Sequence, residues 1–103
     1  MIIVNTDYVS GKELETITMV KGSVIQAKHV GKDIMSGFKG LVGGELTAYS
    51  EMMNEARAKA TKRMVEEAQG LGADAVINVR YTSAAVMQGA AEILVYGTAV
   101  KFK

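Results

Sequence analysis

A chain of 103 residues, 49% hydrophobic and 22% charged, reads as one small globular domain over residues 1–103, because that length cannot support two independent hydrophobic cores. Twelve basic against eleven acidic residues leave a net charge of +1, so no broad field draws the chain onto nucleic acid or anionic lipid. Zero cysteines exclude disulfides, thiolate nucleophiles, iron–sulfur clusters and thiolate zinc; the lone histidine, His29, excludes an imidazole cluster within one subunit.

Residues 1–5 suit a short strand, followed by the polar break Asn5-Thr6-Asp7. This N-terminal stretch lacks the basic start, long apolar run and small-residue cleavage site of a secretory leader. No later stretch reaches the roughly 18 to 20 apolar residues that span a bilayer. The expected location is therefore cytoplasmic, with no membrane partner.

From Thr16 to Val30 the chain is rich in β-branched residues and alternates, which predicts a long strand. Gly22 interrupts that pattern, and a glycine there predicts a bulge or sharp bend. Residues 31–44 carry five glycines and a brief apolar cluster, Ile34, Met35, Phe38, Leu41 and Val42; a short helical turn and a glycine-rich run into Gly43-Gly44 are expected.

The clearest element follows. At 100° per residue from Thr47 to Leu71, the side chains of Tyr49, Met52, Met53, Ala56, Ala60, Met64 and Leu71 fall in one stripe, with Glu51, Glu55, Lys59, Lys62, Glu66 and Gln69 mostly opposite. This predicts a long amphipathic helix ended by Gly70 and Gly72. Small residues at Ala56 and Ala60 would let its axis approach a sheet closely. Val65 and Ala58 form a second, small apolar spot on the far side. Beyond it, Ala75 to Tyr81 reads as a half-buried strand with Ile77, Val79 and Tyr81 on one face and Asn78 and Arg80 on the other. Residues 83–90 read as a loop of small residues with an unusually apolar tip at Val86 and Met87. Glu92 to Lys101 is a final strand, apolar on both faces. That strand, the loop tip and the rear of the helix are apolar surfaces wasted on a single copy, which points to a homo-oligomer.

Several side chains could carry chemistry. Glu45 follows Gly43-Gly44 at the helix start, where a carboxylate could meet a cation or move a proton, or simply compensate the positive end of the helix dipole. Glu51 and Glu55 lie one turn apart, as oxygen ligands do, but also as solvated helical carboxylates do. Arg57, Arg80 and Glu92 suit either an ion-pair network or a ligand site. Tyr49, Tyr81 and Tyr96 could lend hydroxyls to a ligand or pack in the core. The seven methionines include soft thioether donors, although Met52, Met53 and Met64 fall on the core stripe. No phosphate-loop or Gly-x-Ser-x-Gly nucleophile pattern occurs.

Taken in order, Val20-Lys21-Gly22-Ser23-Val24, Gly43-Gly44-Glu45-Leu46 with Tyr49, Glu55-Ala56-Arg57 with Ala60 and Arg63, Leu71-Gly72-Ala73-Asp74-Ala75-Val76 and Glu92 to Val100 resemble the YbjQ-like family, also labelled UPF0145. The resemblance runs nearly end to end; Asp74 departs from the asparagine often found there. It implies an α+β subunit with an antiparallel sheet wrapped around one long helix, dodecin-like, forming a ring of five. It also implies a heavy-metal-binding label and no established catalytic activity, so a non-enzyme is expected. Glu45, Arg57, Arg80, Glu92 and Tyr96 are the candidate binding residues. Metal ligands and cofactor remain unnamed by the sequence, and a structural or partner-docking scaffold is the alternative reading.

Overall fold

The computed structural model describes residues 1–27 and 43–103, with helix side chains described from residue 49 onward. The expected turn after Gly31, and His29, lie outside the described residues. Five elements follow in order: β1 (Ile2–Ile3), β2 (Leu14–Ala27), α1 (Gly43–Gly70), β3 (Ala75–Met87) and β4 (Ala90–Phe102). The sheet order is β1-β3-β4-β2. β4 is central and antiparallel to both β2 and β3, whereas β1 lies parallel to β3. The sheet is thus mixed, not purely antiparallel as expected. The parallel arrangement arises because the N-terminal segment runs along the outer edge of β3, where the Val4 N–H donates to the Val76 carbonyl and the Val79 N–H to the Val4 carbonyl.

The buried row on α1 is Met52, Ala56, Ala60, Met64 and Ala68, every fourth residue. Such a row winds slowly around a helix, matching the twist of the sheet beneath it. Against it pack Val20 and Val24 of β2, Val76 and Val79 of β3, and Ile93, Val95 and Ala99 of β4. The opposite sheet face carries a smaller cluster of Ala75, Ile77 and Val100, covered by Val4, Val9, Leu14 and Phe102. The helix ends in a Schellman arrangement: Ala73 N–H donates to the Ala68 carbonyl at 3.1 Å and Gly72 N–H to the Gln69 carbonyl at 3.0 Å, with Gly72 at φ +75°. Leu71, placed on the stripe by periodicity, falls beyond the last helical turn and is exposed.

Three further sequence expectations are revised. The bulge in β2 lies between Thr16 and Thr18, not at Gly22. Gly22 instead lets helix and strand touch: a Cβ there would collide with the Ala60 carbonyl oxygen and stand 2.5 Å from the Met64 nitrogen. Residues 83–87, read as loop, continue β3, and the chain turns only at Gln88-Gly89, with Met87 opposite Ala90 and Gly89 at φ +78°. Finally, Ile77 and Val79 pack on opposite faces of the sheet. Asn78 adopts φ +54°, a left-handed conformation that asparagine tolerates, and the register shifts between Ile77 and Arg80. Parity therefore reverses within the strand.

Candidate functional site

The reversal at Asn78 decides where two candidate residues stand. Past it, Tyr81 turns toward the helix, where its hydroxyl lies 2.7 Å from Thr61 Oγ1. Arg80 falls on the sheet face turned away from the helix, directly across from Tyr96, which in turn faces Lys21 of β2. Glu92 shares that face, two cross-strand rows further along, between Ile25 and Ala84. The structure thus places Arg80, Tyr96 and Glu92 on one surface, Arg80 and Tyr96 as neighbours. It does not bring Arg57 to them. Among the described residues the ion pairs are Lys59 with Glu55 and Lys103 with Glu13, so the network considered for Arg57, Arg80 and Glu92 is not formed there. All three side chains are exposed or half-buried and need no partner to offset desolvation.

Arg57 sits on the helix, its Nη1 donating to Asn54 Oδ1 at 2.9 Å. Together with Ser50, Tyr49 and Met53 these two residues border an open groove of about 490 Å³. Tyr49 and Met53 also line a second hollow of about 250 Å³ between α1 and the β3–β4 turn, completed by Met52, Met87 and the small residues around Gly89. The side chain of Glu45 lies outside those described. Sequence reasoning missed the second hollow because Met87 was assigned to a loop. The Gln88-Gly89 pair, flanked by residues of strand character, was the available signal for a hairpin that folds Met87 back toward the helix.

The edges of the sheet differ. Along β2, the outward Lys21 N–H donates to Glu67 Oε1 at 3.3 Å and the Ser23 carbonyl accepts from Arg63 Nη1, so helix side chains occupy that edge. Beyond Val79, by contrast, no described strand pairs with the outer edge of β3, and residues 80–87 are all exposed.

A metal ion needs converging donors. Among the described residues no group of three or more His, Cys, Asp or Glu side chains is placed to hold one. One hollow gathers the thioethers of Met52, Met53 and Met87, which suit a soft cation, beside the oxygen-bearing Tyr49 and Gln88. No helix among the described residues is long and apolar enough to cross a membrane.

The molecule is thus an α+β domain in which one long helix lies over a four-stranded mixed sheet, with two hollows beside the helix and, among the described residues, one strand edge without a paired strand. The chain belongs to the YbjQ family, UPF0145: the family model described as "Putative heavy-metal-binding" matches residues 1–103. It is 80% identical over 102 residues to a UPF0145 protein of Alkaliphilus metalliredigens, covering 99% of each chain. It is 64% identical over 102 residues to one of Methanosarcina acetivorans, covering 98% of this chain and 96% of that one. In fold it is similar to a crystal structure of a protein of unknown function of the DUF74 family from Pediococcus pentosaceus, with a TM-score of 0.69 at 15% identity over 100% of this chain and 98% of that one.

Proposed function

We propose that this chain is a non-enzymatic, cytoplasmic binding protein that works as a ring of identical dodecin-like subunits, five by family resemblance, and takes up a heavy-metal ion. The observation that carries the oligomeric part is the open edge of β3. Residues 80–87, Arg-Tyr-Thr-Ser-Ala-Ala-Val-Met, present an outer edge that no strand among the described residues pairs with, beside the exposed Val86 and Met87, with one charge and no proline. An uncovered edge of that composition is a template for association, and natural proteins blunt such edges or pair them. A Cα radius of gyration of 16.9 Å, against about 13 Å for a compact chain of about 100 residues, agrees with a subunit whose surfaces close against neighbours.

The family description supports the metal part. Arg80, Tyr96 and Glu92 on the outer sheet face, with Arg57 and Glu45 on the helix, are the polar groups through which an assembled ring would hold a ligand. No second titratable group faces Glu92 across either neighbouring strand, which favours binding over acid–base work.

Metal analysis of untagged protein followed by calorimetric titration with Zn²⁺, Cd²⁺, Ni²⁺ and Ag⁺ tests the metal part. Saturable uptake of at least one ion is expected. Assembly without any uptake would leave the structural or partner-docking scaffold as the function.

A further inference from the structure

We propose that Met52, Met53 and Met87 form a thioether site for a soft monovalent cation, Cu⁺ in the cell, in the hollow between α1 and the β3–β4 turn. This rests on the heavy-metal reading and supplies it with a donor set. Met52 and Met53 occupy successive positions on the helix wall, and Met87, the last residue of β3, lines the opposite side. Three of the nine lining residues are methionine, and none is a carboxylate, imidazole or thiol. The hollow, about 250 Å³, is smaller than the about 300–1,000 Å³ that organic ligands of drug size occupy. It leaves ample room for an ion and its sulfur ligands.

Thioether sulfur is soft and uncharged, so it selects Cu⁺ over Zn²⁺ or Mg²⁺. Thiolate and imidazole ligands must lose a proton before binding, which makes their affinity fall in acid. A thioether has no proton to lose. Affinity at a site built from these three residues should therefore stay level across the pH range where histidine or cysteine sites weaken. In the single chain Met87 is 67% exposed and Met52 is buried, so the site runs from the surface into the packed side of the helix. Met19 is equally exposed, at 66%, but lies on the far sheet face and serves as an internal control.

The test uses Ag⁺ as an air-stable probe, titrated into the assembled protein carrying ¹³C-methyl methionine. One Ag⁺ per chain is expected, shifting the methyl signals of Met52, Met53 and Met87 and leaving that of Met19 in place. Affinity should be unchanged between about pH 6 and pH 8. Changes around a metal site that spare the ligands already cost about 10–100-fold in affinity, so M53L or M87L should weaken Ag⁺ by about tenfold or more, and M19L should not. Leucine keeps the apolar volume, and an unchanged circular dichroism spectrum confirms that each variant is folded. Ag⁺ binding unaffected by M53L and M87L would overturn the thioether site, as would uptake of Zn²⁺ or Cd²⁺ without Ag⁺; in both cases the heavy-metal reading survives. Uptake of no ion at all would overturn both.

Discussion

Replacing Gly22 by alanine is expected to cost about 3 kcal/mol of stability, and replacing it by valine to abolish folding. The glycine lies under the middle of α1, where an added Cβ meets the Ala60 carbonyl oxygen and the Met64 backbone nitrogen rather than a side chain that could swing aside. Relief would require lifting the helix, and with it the fully buried Ala60 and Met64, off β2 and β4. G70A is the matched control. Nothing lies within 4 Å of its added methyl, and its φ is not positive, so it should be neutral or stabilise by a few tenths of a kcal/mol, roughly the helix preference of alanine over glycine near a frayed end. Urea denaturation of both variants at one fixed protein concentration measures the difference, since association makes apparent stability concentration-dependent.

A double substitution, A84K with V86K, is expected to separate the proposed ring into single chains while leaving each chain folded. Both residues are exposed in the isolated subunit, on the stretch of β3 that no described strand covers, so two lysines there disturb no core packing. In a pairing with a neighbouring copy, however, the V86K ammonium would enter an interface without a partner, at a cost of several kcal/mol, while the A84K ammonium, across from Glu92, adds a second charge to the same edge. Lysine on an open edge is also the device by which natural sheets prevent such pairing. Light scattering or native mass measurement reads the outcome, and circular dichroism confirms the fold. An assembly that keeps its mass would place the contact elsewhere on the subunit.

The helix was legible in advance because its signal is long and redundant: Met52, Ala56, Ala60 and Met64 recur on one face over several turns, and Gly72 closes it. Its start was less so. The helix begins at Gly43, among glycines that argue against helix on propensity alone. The strands were recognised, but their faces were only partly assigned, since period-two reasoning holds only while every residue is extended. One left-handed asparagine, Asn78, moves Arg80 and Tyr81 to the faces opposite those that alternation predicts. Asparagine inside a run of β-branched residues was the available hint.

The same kind of failure governed the candidate site. Residues 83–87 are small and weakly alternating because the segment is exposed on both faces in one chain, and such a strand carries little periodicity of its own. Reading it as loop separated Met87 from the helix methionines and hid the hollow they share. Arg80, Tyr96 and Glu92, chosen by residue type and strand assignment, do fall on one surface; Arg57, chosen for lying beside the apolar stripe, stands apart from them, bonded to Asn54. Charge on a helix flank shows that a residue is accessible, but not which sheet face it could reach.

The most direct test of this account is the mass of the untagged protein in dilute solution, measured by sedimentation velocity over a range of concentrations. The account predicts a discrete species of five chains that persists on dilution, with the 80–87 edge protected from amide hydrogen exchange. A compact single chain at every concentration, exchanging freely along that edge, would contradict it.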